Sequence, residues 1–355
     1  MQADSKVKLA RSVIPVVDDC AYLDTASLGP VSQIYADALT SCTERDLRTG
    51  RARGFRYERI EHARERIRTE IAAVLGSSPD ELELTRGTTA AIRTLLERYP
   101  WEDGDEIVST QLEFPPCRDA LDDLVAKGTV SLQIAQVPEQ GAEDLAWLAR
   151  CLTPRTRLIV FSGVAYATGQ RLPIEQIASL ASAHDLHTLL DGAQLVGAGD
   201  LDVSRVPIDF VAMPVQKWLC GPEGLGALFV RAGTIDWRRS ERITHGWPVL
   251  EAAAEHLGWV RDNLGWDWIR ERTHALARYA RETLSESEAA SLVTPPAHAG
   301  LVSIRWEPGT FEQMTERLAA QNLVVRERPD LGLLRISTAF FTTEQEINRF
   351  VAAVC

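Results

Sequence analysis

The run FVAMPVQKWLCGPEGLGALFV (210–230) is apolar until Lys217 interrupts it. Lysine is scarce in this chain: Lys and Arg total 38, of which only Lys6, Lys8, Lys127 and Lys217 are lysines, leaving 34 arginines. Apolar neighbours strip water from an ammonium group and lower its pKa, the state an imine-forming lysine needs. A lysine whose stem packs along the surface with its amine in water is the competing reading, and the scarcity weighs against it. Two other features complement such an amine. Asp191 closes the apolar run LHTLLD (186–191) before the turn DGAQ, offering a carboxylate to a cation or a cap to the turn. In LELTRGTTAA (82–91), Gly87 permits unusual backbone geometry, while Thr88 and Thr89 bring hydroxyl and N–H groups to a helix start that favours an anion. Threonine at a helix N-cap is ordinary by itself, so this cup gains meaning only from its company.

The surrounding pattern brings the three together. From about 81 to 231, β-rich runs alternate with helical ones, the signature of a largely parallel sheet covered by helices. Strands are expected at 82–85, 106–110, 157–164, 186–191, 208–213 and 226–231. Helices are expected at 89–99, where Ile92, Leu95, Leu96 and Tyr99 share one face, and at 173–185, with Pro173 in the first turn. Open α/β sheets bind ligands at the carboxyl ends of their strands, so Asp191 and Lys217 reach the same rim. A phosphate cup, a carboxylate and a lysine on one rim point to pyridoxal phosphate, whose aldehyde condenses with lysine and whose ring nitrogen is held protonated by an acid partner.

After about 235 the pattern changes. A Trp-rich helical region (237–282) leads through SESEAAS and TPPAHAG to the strand-like GLVSIRW (300–306) and GLLRIS (332–337). The helix TTEQEINRFVAAV (342–354) follows, opened by a Thr cap with Glu in its first turn. A large domain over 15–250 and a small C-terminal domain over 251–355 are expected, with residues 1–14 packing on the latter.

Bulk properties exclude several classes. A net charge of -12 and a pI near 5.2 argue against a nucleic-acid or anionic-membrane binder and suit a small-molecule substrate. The six cysteines form no CxxC pair and no zinc-like cluster, so reduced thiols, a cytoplasmic location and no structural metal are expected. No signal-peptide pattern opens the chain, and no segment offers the roughly 18 apolar residues of a membrane span.

The ordered segments YLDTASLGP (22–30), TRGTTAAI (85–92), YATGQRLPI (166–174), DGAQ (191–194), QKWLCGPEGLGAL (216–228) and LRISTAFFTTEQEI (334–347) resemble the class V aminotransferase family. These are the pyridoxal-phosphate enzymes of fold type I that include cysteine desulfurases, kynureninases and isopenicillin-N-epimerase-like proteins. KWLCGPEGLGAL is most similar to the epimerase-like branch. The resemblance implies an α/β fold: a mostly parallel, seven-stranded-type sheet in a large domain plus a smaller α+β C-terminal domain. It also implies a homodimer with active sites at the subunit interface. Lys217 would hold the cofactor as an imine and carry protons to and from the substrate's Cα. Asp191 would pair with the pyridinium nitrogen and Gln194 would donate to the phenolic oxygen. Gly87, Thr88 and Thr89 would hold the phosphate. Phe114 falls where desulfurases place the residue stacked on the ring, often a histidine; an apolar stacker leaves the acid–base work to Lys217. Arg335 matches the arginine that takes the substrate α-carboxylate in a two-pronged pair, although without the family it reads as one surface arginine among many.

Departures from the family pattern shape the expectation. Relatives often carry Ser-x-His before the lysine; here Pro214 and the neutral Gln216 stand there, shifting the phosphate's dependence to Thr88, Thr89 and the partner subunit. Tyr166 occupies the position of an asparagine near the phenolic oxygen and is assigned to the substrate side. RLAAQNLVVRERPDLGLLR (317–335) lacks the nucleophilic cysteine of desulfurases, and Cys220 reads as core packing, which disfavours a persulfide-forming enzyme. The leading expectation is a C–S β-lyase acting on an S-substituted cysteine conjugate in specialised metabolism. The alternatives are decarboxylation coupled to oxidative deamination of such a conjugate, and amino-acid epimerisation or transamination. A non-catalytic binding protein of the same fold is the reading from another class; an intact lysine, acid partner and phosphate cup weigh against it. GRARGFRY (50–57) and THGWP (244–248) are candidates to line the entrance, with Trp247 read as core or dimer-interface packing.

Overall fold

The computed structural model describes residues 2–51, 56–238, 245–286, 290–306 and 311–354. Parts of the two expected entrance segments, residues 52–55 and Thr244, therefore lie outside the described residues. Seven strands build the main sheet: β1 (Leu82–Thr85), β2 (Asp105–Thr110), β3 (Val130–Ala135), β4 (Thr156–Ser162), β5 (His187–Asp191), β6 (Phe210–Pro214) and β7 (Gly226–Val230). Their spatial order is β1-β7-β6-β5-β4-β2-β3. Only β7 runs antiparallel to its neighbours; the pairs among β6, β5, β4, β2 and β3 are parallel. Six of these strands fall on the runs read as strands. The seventh, β3, lies at the sheet edge with side chains alternately buried and exposed, and so lacks a continuous apolar run.

Alternation along the central strands explains the helices on both faces. Val160, Leu189, Phe210 and Leu228 point to one side, where they pack with Ile92 and Leu95 of the helix Thr88–Arg98 and Leu121 of the helix Pro115–Val125. Phe161, Leu190, Val211 and Phe229 point to the other, into a larger cluster with Ile177 of the helix Ile174–Ala183, Ile67 and Ile71 of the helix Arg56–Leu75 and Leu257 of the helix Trp247–Asn263. Burying one such Phe or Leu contributes about 1.5–3 kcal/mol.

A second core holds the C-terminal part. There β8 (Ser291–Leu292), β9 (Leu301–Arg305), β10 (Arg326–Arg328) and β11 (Leu333–Ser337) form a four-stranded antiparallel sheet in the order β10-β11-β9-β8. The final helix, Glu344–Val354, opens with Thr343 and Glu346 capping each other reciprocally, as the Thr–Glu spacing predicts. The two cores meet inside the helix Trp266–Ser285: Ile269 belongs to the larger cluster, Leu276, Ala280 and Leu284 to the smaller. The change of core thus comes later than residue 251, because the helix Trp247–Asn263 packs in the larger cluster. Ala10 and Ile14 of the N-terminal segment also pack in the larger cluster, while Arg11 pairs with Glu346 at 3.0 Å on the last helix. Among the described residues no helix is long and apolar enough to cross a membrane.

Candidate active site

The site lies at the carboxyl ends of the parallel strands. Ser162 and Asp191, the last residues of β4 and β5, are register partners, and Asp191 in turn faces Ala212 of β6. Just after β6 the chain turns: Cys220 N–H donates to Lys217 O at 2.9 Å, and Cys220 itself takes φ 52. The turn is clamped from two sides. Gly29 N–H donates to Gln216 O at 2.7 Å, and a Cβ on Gly29 would sit 2.2 Å from Lys217 O, so only glycine admits this approach. His256, fully buried, bonds Leu219 O at 2.8 Å through Nε2 and Ser32 Oγ at 2.8 Å through Nδ1. A carbonyl only accepts, so Nε2 carries the proton and Nδ1 receives the Ser32 hydroxyl. Burial pushes this imidazole down to about 4 and keeps it neutral.

A cavity of about 310 Å³ opens between these elements. Gly87, Thr88, Thr89, Phe114, Tyr166, Asp191, Gln194, Gln216 and Lys217 all line it, so the structure brings together nine of the ten residues singled out from sequence. The tenth, Arg335, stands behind Tyr166: its Nη1 donates to Tyr166 O at 2.6 Å and its Nη2 to Ser27 Oγ at 2.9 Å, with Asp24 3.7 Å away. Its Nε is buried with no partner among the described residues. Burial lowers this guanidinium to about 10, against the opposing pull of Asp24.

Lys217 is the electrostatic centre. Loss of hydration lowers its amine to about 8, Asp191 opposes that shift, and the positive charge of Arg335 adds to it. Phe114 caps the helix Pro115–Val125 and holds its ring centroid 5.8 Å from the Lys217 amine. Tyr166 meets Phe114 edge to face at 5.2 Å, while Arg328 lies 5.0 Å over the Tyr166 ring. Asp191 is buried, and desolvation raises its carboxyl while the Ala193 N–H, at 2.8 Å, and Lys217 act the other way. Gln194 is locked between Ala26 O, to which it donates at 3.0 Å, and the Trp218 indole N–H, which it accepts at 3.1 Å.

These residues fit pyridoxal phosphate on their own terms. Gln216 Oε1 is buried with no hydrogen bond among the described residues, an orphaned acceptor beside the cavity. At the helix Thr88–Arg98, Gly87 adopts φ 118, and β7 passes so close that a Cβ on Gly226 would lie 2.6 Å from Gly87 Cα. This leaves the first turn's N–H groups facing an open cup in which an anion is favoured.

Residues 22–236 match the family Aminotransferase class-V, and the chain belongs to this family of pyridoxal-phosphate-dependent enzymes. Isopenicillin N epimerase of Streptomyces clavuligerus is 29% identical over 328 residues, covering 81% of this chain and 82% of that protein. A probable cysteine desulfurase of Halalkalibacterium halodurans is 29% identical over 298 residues, covering 75% of this chain and 71% of the relative. Among solved structures, the cystine C–S lyase C-DES in complex with its product cysteine persulfide superposes with a TM-score of 0.88 at 23% identity, covering 96% and 98% of the two chains. The fold is therefore fold type I, with its mostly parallel central sheet.

Four residues at or around the cavity carried no clear signal in the sequence. Glu113, beside Phe114, is buried and accepts from Thr110 Oγ1, Ser162 N–H and Ser162 Oγ. Ser162 ends an apolar run with a hydroxyl, the same signature that marked Asp191. Asp24 and Trp218 lie inside YLDTASLGP and QKWLCGPEGLGAL, where only their partners, Arg335 and Gln194, reveal a task. Trp247 is buried, its indole N–H shared between both carboxylate oxygens of Asp46 at 3.1 and 3.0 Å, which is intramolecular packing.

Proposed function

We propose that this pyridoxal-phosphate enzyme cleaves the C–S bond of an S-substituted cysteine conjugate by β-elimination. The observation that carries the reading is that Lys217 is the only amine, imidazole or thiol among the described residues lining the cavity. An amine titrating near 8 takes a proton readily at neutral pH and returns one, as a single-base elimination at adjacent carbons requires. The nearest cysteine in sequence, Cys220, is fully buried and pushed up to about 12, so its thiolate is inaccessible for persulfide chemistry.

In this reading the bound cofactor supplies an electron sink that makes the substrate's Cα proton acidic. Thr88 and Thr89, with the backbone after Gly87, would hold the phosphate; Asp191 would keep the ring nitrogen protonated; Gln194 would donate toward the phenolic oxygen. Phe114 would cover the ring and exclude water. Arg335 receives the α-carboxylate, and Tyr166 borders the substrate side chain. Lys217 takes the Cα proton and delivers one to the leaving group. The reading includes a homodimer, supported by Leu28 and Val31, exposed at 42% and 59% in a groove that also contains Gln216 beside the lysine turn. Analytical ultracentrifugation of the holoenzyme tests that part.

The reaction is tested by incubating holoenzyme with S-alkyl cysteines and assaying thiol, pyruvate, ammonia and carbon dioxide. Equal yields of the first three are expected; carbon dioxide without pyruvate would replace elimination by decarboxylation. A second reading, epimerisation at Cα, is favoured by the similarity to isopenicillin N epimerase. It predicts solvent deuterium at Cα with inversion and no thiol release.

A further inference from the structure

One buried acid in the site has no part in the mechanism above. Glu113 is 6% exposed, and among the described residues no ion pair neutralises it. Its Oε1 accepts from Thr110 Oγ1 at 2.7 Å and from Ser162 N–H at 3.0 Å; its Oε2 meets Ser162 Oγ at 2.8 Å. An ionised Glu113 can only accept, so in that state the Thr110 hydroxyl donates to it, and the Ser162 N–H, which can only donate, keeps Oε1 an acceptor. The Ser162 hydroxyl has no such restriction. The residue, 4% exposed, lines the cavity, and its strand position is the register partner of Asp191.

We propose that Glu113 is a positioning residue whose proton sets the direction of the Ser162 hydroxyl in the cofactor cavity. With Glu113 ionised, the Ser162 hydroxyl donates to Oε2 and shows the cavity only lone pairs. When Glu113 takes up one proton from solvent, Oε2–H donates to Ser162 Oγ, and the hydroxyl turns its own hydrogen into the cavity beside Asp191. The same pocket thus presents an acceptor in one state and a donor in the other. The titratable groups facing Glu113 are Asp191 from β5 and Cys117, whose Sγ lies 4.0 Å from Oε2, on the helix that follows. Lys217 acts on Asp191 from beyond. Burial, with the negative charge of Asp191, pushes Glu113 up to about 7 against the three donors, which brings the change of state into the neutral range.

The inference rests on the cofactor site and not on which bond of the substrate breaks, so a wrong reaction assignment leaves its test intact. The visible absorbance of the bound cofactor is titrated from pH 6 to 8.5 in wild-type holoenzyme, Glu113→Gln and Ser162→Ala. Glutamine keeps the volume and lets Nε2 donate permanently to Ser162 Oγ, fixing the cavity-facing hydroxyl. Wild type should show a transition with a midpoint near 7, and both variants should bind cofactor yet lose that transition. A wild-type midpoint retained in Glu113→Gln, with only the melting temperature lowered, would show a purely structural Glu113 and overturn the proposal. So would a wild-type spectrum constant across the range. Should Glu113→Gln fail to fold, Ser162→Ala decides alone: retention of the transition with Glu113 in place overturns the proposal equally.

Discussion

Asp24 stands 3.7 Å from the guanidinium of Arg335, near enough to share its charge and too far to saturate its donors. With Tyr166 O and Ser27 Oγ completing the cradle, the guanidinium is held in place, and among the described residues its Nε has no partner; in the proposed reading it receives the substrate carboxylate. Arg335→Lys keeps the charge but loses the fork. The fall in kcat/KM should be about 10- to 100-fold, matching a loss of about 1.5–3 kcal/mol for a charged hydrogen bond. Steady-state kinetics with a substrate amide lacking the free carboxylate should show no further loss.

Lys217→Ala should abolish both turnover and the borohydride-trappable linkage to the cofactor. The amine also leaves a mark on the apoprotein. Its folded pKa, about 8, lies below the ordinary 10.5, so the unfolded chain binds more protons between those values and stability rises with pH across that window. Relative to Lys217→Met, wild-type apoprotein should gain at most about 3 kcal/mol between the two limits. Urea unfolding of both proteins at several pH values measures the difference.

Gly226→Ala should weaken cofactor binding about tenfold or more, a loss of about 1.4 kcal/mol or greater. The new Cβ would lie 2.5 Å from Met213 O and 2.6 Å from Gly87 Cα, forcing the phosphate cup off β7. Gly224→Ala, two positions earlier, meets nothing within 4 Å and pays only for its φ of 72, about 1 kcal/mol of stability. Fluorescence titration with pyridoxal phosphate distinguishes the two variants.

His256, neutral between Ser32 and Leu219, should make the protein acid-labile. A histidine depressed to about 4 from the ordinary 6.5 contributes nothing above the higher value. Between the two, the unfolded chain takes the proton and the folded one refuses it, so stability falls as pH drops, by about 3 kcal/mol in all. His256→Gln should flatten that part of the profile and, by loosening Leu219 O, also weaken the hold on the Lys217 turn. Thermal unfolding between pH 4 and 7 reads the first effect.

Where one strand's own pattern determines an answer, the sequence was a sufficient guide. LELT becomes β1 over the same residues, and Asp191 and Lys217 end up on one rim because each follows an apolar strand of a parallel sheet. Gln194 and Arg335 needed the family resemblance, since nothing local separates them from other polar residues. The pairing of Glu113 with Ser162 was illegible for a different reason: it depends on register between the β4 end and the loop after β2, which no single window contains. The edge strand β3 and the late change of core also depend on neighbours, the first on a half-exposed face and the second on which helices Leu257 and Ile269 meet.

The antiparallel β7 has a consequence for synthesis. Among the described residues β1, the strand that leads into the proposed phosphate cup, pairs with the sheet only through β7. A nascent chain emerging from the ribosome can pair β2 to β6 as their segments appear, but β1 has no docking edge until Gly226–Val230 has been made. Lys217 has by then already been translated, so the proposed anchor of the cofactor precedes its proposed seat. Capture of pyridoxal phosphate must therefore be a late event in folding, and chains truncated before Gly226 should neither colour nor resist protease over residues 82–98.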